Sequence, residues 1–226
     1  MLVGPLRLSE ISTIGIYLEL LSLVLILIIS SYIFFKTSYI YRLTNHLGIF
    51  YFRTGFAFIG VSSLISIIQY IFILFKFQKI FMGYFFIIPY FSQIFSIIGI
   101  IYLFMSIVNH KSISDIFKNK KILIALSVVI IIFSLILFTR TQLVYFQLII
   151  ILIFSIFLLI SIYFHKNKKF LGKISSIYLL LFIFWTFNLT QFLLQTQFLT
   201  REISAILSIL IFIIIGIIFK QNIKNL

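Results

Sequence analysis

Apolar residues along this chain neither alternate nor keep to one helical face. They run on in seven long stretches, at about 11–35, 48–75, 80–108, 122–138, 143–164, 174–197 and 202–219, separated by short polar segments. A bilayer core about 30 Å thick takes roughly 20 helical residues to cross. With no water there to satisfy backbone N–H and C=O groups, such runs must be helices, because open strands would leave an unpaired edge. Barrel strands would read as alternating segments of about 10 residues, which these are not. The pattern predicts an all-α membrane protein, a bundle of seven transmembrane helices, with residues 1–226 forming a single polytopic domain.

The polar residues inside these runs have a pattern of their own. Ser12, Gly15, Glu19 and Ser22 share one face of the first span, as do Ser62, Ser66 and Gln69 in the second. Pro89, Ser92 or Gln93, Ser96 and Gly99 align in the third, Trp185, Asn188, Gln191 and Gln195 in the sixth, and Ser204 with Ser208 in the seventh. The fourth and fifth spans carry only scattered Ser127, Ser134, Gln147 and Ser155, and are expected to face lipid more. Pro89 lacks a backbone N–H and is expected to bend its span.

Charge sets a direction. Lys36, Arg42, Arg53, Lys111, Lys118, Lys120, Lys121, Lys166, Lys168, Lys169, Lys173, Lys220 and Lys224 fall on one side, against Arg7, Lys76, Lys79, Arg140 and Arg201 on the other. The positive-inside rule then puts the N-terminus outside and the C-terminus in the cytoplasm. The net charge of +14 belongs to these flanking residues, so its expected partners are anionic lipid headgroups at the cytoplasmic face, and nucleic acid is not expected. The first run is too long for the apolar region of a cleaved leader and is expected to be a span. The segment Lys111–Lys121 reads either as a short interfacial helix or as a solvated loop.

Composition agrees with the pattern: 63% of residues are hydrophobic and 10% charged, far from the balance of soluble domains. The 30 Phe accompany an excess of Ile, Lys and Asn, all with A/T-rich codons, and are not by themselves a sign of an aromatic binding surface. The absence of Cys excludes disulfides and thiolate metal sites.

On this topology Glu19 lies about 12 Å below the outer boundary. An ionised acid inside a span costs up to about 2.5–3.5 kcal/mol, so it must be protonated, paired or wet. No Lys or Arg stands at its depth, and hydrogen bonding to amides is expected. Gln69, Gln93, Asn188 and Gln191 fall in the same outer half, and with Trp185 they mark a candidate ligand-binding pocket around Glu19. The competing reading is that polar side chains only join helices, at about 0.6 kcal/mol per hydrogen bond; it is favoured for the Ser and Gly positions.

At the cytoplasmic face, Ser106-Ile-Val-Asn-His110-Lys111 and Ser161-Ile-Tyr-Phe-His165-Lys166 close two spans alike. His46, His110 and His165 all lie there, with Asp115 as the nearby acid, and read as interfacial residues in preference to a metal site. Arg53, His110 and His165 are candidate contacts for a partner or for lipid, and Tyr51 with Arg53 is expected to anchor the second span at the interface. Gly48 is expected to allow a tight start to that span.

No cofactor is expected. A retinal-type Lys is missing from Arg201–Phe219, and the repeated prolines of seven-helix sugar transporters are absent. Glu19 has no companion acid, and the histidines sit at the opposite leaflet, so an enzyme is the least supported class. The stretch His46-Leu-Gly-Ile-Phe-Tyr-Phe-Arg53, with Phe58, resembles one in uncharacterised prokaryotic seven-helix membrane proteins. That resemblance implies a prokaryotic cell membrane and no particular activity. Two functions are expected from the pocket: a receptor-like or accessory protein acting through a partner, or a small carrier using Glu19 for a proton or cation.

Overall fold

The computed structural model describes residues 13–75, 87–109, 176–187 and 198–224, and among these every regular element is a helix. They are α1 (Thr13–Thr44), α2 (Leu47–Leu74), α3 (Ile87–Asn109), α4 (Ser176–Phe187) and α5 (Phe198–Lys224). Four of the five, all but α4, are long and apolar enough to cross a membrane. Length and composition therefore mark an all-α integral membrane protein. The spans expected at 122–138 and 143–164 lie outside the described residues, as do residues 174–175 and 188–197 of the sixth.

The first span differs from expectation in length. Helix α1 continues through Lys36 and Arg42, which charge alone had suggested were loop, and reaches Thr44. Between Lys36 and Thr44 there is no Gly or Pro to stop it. The hydroxyls of Thr37, Ser38 and Thr44 fold back onto the carbonyls of Ile33, Phe34 and Ile40, at 2.6, 2.6 and 3.0 Å, so they do not compete with the helix from outside. Arg42 in the last turn suits the negative end of the helix dipole. Charge marks where lipid ends, not where a helix ends. The same holds for α5, whose ends take in Arg201 and Lys220 beyond the expected 202–219.

The α1–α2 connection is only two residues long. Asn45 takes a left-handed conformation (φ 48°), which Asn tolerates well, and its N–H bonds the Tyr41 carbonyl at 2.8 Å to close α1. His46 is extended and caps α2, its ring Nδ1 accepting the Gly48 N–H at 3.2 Å. A Cβ on Gly48 would stand 3.0 Å from the His46 ring, so the tight start expected at this glycine is met.

Helix α2 packs against α1 and α3, and α5 closes on α1. All five helices contribute to one apolar core that includes Ile33, Phe56, Leu103, Leu181, Trp185 and Phe212. A second cluster, around Tyr51, Ile97 and Tyr102, fills the α2–α3 seam. Tyr51 is fully buried, not an interfacial anchor as expected, because the close approach of α3 encloses its ring against Tyr102 at 6.4 Å. That approach needs glycine. A Cβ on Gly55 would come 2.6 Å from the Leu103 side chain and 3.1 Å from the Gly99 carbonyl, and one on Gly99 would come 3.2 Å from the Gly55 carbonyl. Small residues at facing positions are how membrane helices gain van der Waals contact.

The outward faces are apolar as well. Leu21, Ile28 and Phe35 on α1, Leu64, Ile68 and Ile71 on α2, and Ile206, Leu210 and Ile217 on α5 are exposed. In water such stripes would drive association; against lipid tails they cost nothing.

Candidate functional site

The polar positions of the first three spans come together in two places. Along the α2–α3 seam, Ser62 and Ser66 stand one turn apart on α2 and both meet Ser92 of α3. The Ser66 and Ser92 hydroxyls are 2.7 Å apart, and the Ser62 and Ser92 hydroxyls 3.1 Å apart. Each of Ser62 and Ser92 also reaches the other's carbonyl, at 2.8 and 3.0 Å. This ladder joins two helices and uses up its hydroxyls in doing so.

The second meeting point is one turn further along the same face of α2. There the Tyr70 hydroxyl donates to Oε2 of Glu19 on α1. This donor is a phenol, a residue type not expected beside Glu19 from the sequence. Both side chains are half-buried, and Ser22 on the next turn of α1 turns its hydroxyl back to the Glu19 carbonyl at 2.7 Å. The signal for Tyr70 was in the sequence, since Ser62, Ser66 and Tyr70 repeat at i, i+4, i+8. It is hidden by counting tyrosine as an aromatic instead of as a hydroxyl donor.

The depth of this pair can be read from the helices themselves. Lys36 on α1 and Arg53 on α2 lie near the hairpin end, and about 20 residues back from each the chain has crossed roughly 30 Å. If Lys36 and Arg53 mark one boundary, that count reaches Ile16 on α1 and Ile73 on α2 and puts Glu19 and Tyr70 three residues inside the other.

The other expected pocket residues take different positions. Gln69 is half-buried beside Tyr70, and Gln93 is half-buried beside Ser92. Trp185 is 2% exposed, packed into the common core beside Phe184. Asn188 and Gln191 lie outside the described residues, as do His110 and His165. Next to Glu19, the side chains of Tyr17, Leu18, Leu20, Leu21 and Val24 border an open apolar depression of about 610 Å³. All five belong to α1, so it is part of a lipid-facing surface and not an enclosed cavity.

At the hairpin end, Ser106 of α3 donates to the Gly48 carbonyl at 2.8 Å and accepts from the Tyr178 hydroxyl of α4 at 2.9 Å. The seryl hydroxyl that opens the Ser106–Lys111 stretch thus ties three helices together. Arg53 holds its guanidinium 4.3 Å from the Tyr41 ring centroid and 5.1 Å from that of Phe50. Among the described residues no group of three or more His, Cys, Asp or Glu is placed to hold a metal ion.

No protein family, no curated protein and no solved structure matches this chain.

Proposed function

We propose that this is a receptor-like or accessory integral membrane protein that binds a small ligand or lipid beside Glu19, at the end of the bundle opposite the α1–α2 hairpin. The observation that carries this reading is the pairing of Glu19 with Tyr70 across two helices, three residues inside the boundary. A half-buried acid that meets a phenol offers a ligand a hydrogen-bond acceptor and, once the phenol is displaced, a donor beside it. The charge balance supports seven spans with the N-terminus and this site on the outside, and a basic cytoplasmic face that meets anionic headgroups and a protein partner. Gln69 lies next to Tyr70 in the sequence, and Gln93, Asn188 and Gln191 are the further proposed lining, whereas Trp185 belongs to the core.

A second reading, a small proton- or cation-coupled carrier, has one observation of its own: the Tyr70 group that meets Glu19 is a neutral hydroxyl and not a cation. Native mass spectrometry of protein extracted gently from its own membranes separates the two. On the first reading, wild-type protein carries a stoichiometric small molecule or protein companion, and Glu19→Gln folds but loses the small molecule. On the second, wild-type proteoliposomes conduct a proton or cation flux that Glu19→Gln abolishes. If Glu19→Gln leaves bound species, partner and flux all unchanged, the acid is structural and both readings fall.

A further inference from the structure

Arg53 presents a different chemistry, at the opposite end of the bundle and independent of the Glu19 reading. Its guanidinium lies over Tyr41 from the end of α1 and beside Phe50 on its own helix. The two rings themselves touch, with centroids 5.6 Å apart. Aromatic faces attract the cation and hold its plane but do not neutralise it. Its Nε is sealed from solvent and has no hydrogen-bond partner among the described residues. Hydrogen bonds to charged groups are among the stronger ones, and an unmet buried donor is costly.

The chain supplies little to meet it. From Leu20 to Asn109, through α1, α2 and α3, there is no Asp or Glu, while Lys36 and Arg42 add positive charge at the same end, both exposed. The acid of α1 is far off: Glu19 stands 22 residues from Tyr41 on one helix, roughly 33 Å away at 1.5 Å per residue. Arg53 itself is only half-buried. It lies six residues into α2, roughly 9 Å from the helix start, at the same basic end as Lys36 and Arg42.

We propose that Arg53, held against the Tyr41 and Phe50 rings, is a binding site for a single phosphate group. The guanidinium fork matches two phosphate oxygens, and a planar, pre-oriented fork loses less entropy per bond than a free one. The phosphate comes either from an anionic phospholipid headgroup or from a free phosphate species. Lysine in its place would keep the charge and lose the fork.

The test is native mass spectrometry of the full chain in detergent, titrated separately with phosphatidylglycerol, phosphatidylcholine and inorganic phosphate. Wild type is expected to retain one phosphatidylglycerol or one inorganic phosphate in preference to phosphatidylcholine, whose phosphate is already offset by its own choline cation. Arg53→Gln and Arg53→Lys are each expected to weaken that binding about tenfold, while Arg42→Gln changes it less than about twofold. Retention of phosphatidylglycerol unaffected by excess inorganic phosphate assigns the site to lipid, and displacement by inorganic phosphate assigns it to a free ligand; both support the site. Absence of any preference in wild type overturns it without reference to a variant. Equal losses from Arg42→Gln and Arg53→Gln overturn it in favour of diffuse attraction, and undiminished binding by Arg53→Lys overturns the guanidinium geometry. Rescue of an Arg53→Gln loss by no variant but the removal of Asp115 would likewise overturn it, by making Arg53 half of an internal ion pair.

Discussion

At the scale of single residues, the useful distinction in this protein is between hydroxyls that join helices through other hydroxyls or carbonyls and those that meet an acid. Ser92 is of the first kind, meeting Ser62 and Ser66 and a carbonyl. Ser106 is another, placed between the Gly48 carbonyl and Tyr178. The regular spacing of Ser62 and Ser66 was readable in the sequence, and so was their use as joints, because serine in lipid has few alternatives. Tyr70 is of the second kind, with its hydroxyl committed to a carboxylate. Which donor would reach Glu19 was not readable, since it depends on how α1 and α2 are set against each other along their length. A double-mutant cycle measures the pair: Tyr70→Phe and Glu19→Leu, singly and together, by reversible unfolding in detergent micelles. We expect a coupling energy of about 1 kcal/mol. A coupling indistinguishable from zero would mean that the two side chains do not hold each other.

At the scale of helices, the α2–α3 seam is the most demanding piece of packing, and its glycines are not equivalent. Gly55 and Gly99 face each other across backbone, whereas a Cβ on Gly60 would meet nothing closer than the Ser30 Cβ at 3.6 Å. Gly55→Ala is therefore expected to destabilise the protein by about 1–3 kcal/mol, as overpacking does. Gly60→Ala is expected to be neutral or to gain up to about 1 kcal/mol from lower backbone entropy in the unfolded chain. Thermal unfolding of the two variants side by side checks this, and equal effects would show that the helices do not approach at Gly55. The sequence aligned Gly99 with Ser92 and Ser96 on one face, but not its partner, because facing positions on two helices depend on the crossing and not on either pattern alone. Helix ends were misjudged for a related reason. A charged residue such as Lys36 or Arg201 marks the depth at which lipid stops, while a helix stops only where its hydrogen bonding is closed, as the Asn45–Tyr41 bond does for α1.

At the scale of the whole molecule, two independent counts agree on how the described bundle would sit in a bilayer. One starts from Lys36 on α1 and the other from Arg53 on α2, and both put Glu19 and Tyr70 just inside the far surface. Helix α1, at 32 residues and roughly 48 Å, is longer than the hydrocarbon core, so the hairpin at Asn45 projects into the headgroup layer or the helix tilts. The direction of insertion follows from charge alone, and it decides whether the Glu19 site faces the exterior. The chain has no Cys, so any cysteine introduced is the sole thiol and reports its own side of the membrane. Leu43, exposed beside the hairpin, and Gln78, in the short polar segment after the second span, are suitable positions. With a membrane-impermeant maleimide on intact cells, Gln78→Cys is expected to react directly and Leu43→Cys only after the membrane is opened. The reverse order would invert the bundle, put Glu19 and Tyr70 at the cytoplasmic leaflet, and move the Arg53 phosphate site to the outer one. The local geometry of both sites would survive that inversion, but a receptor for an external ligand would not.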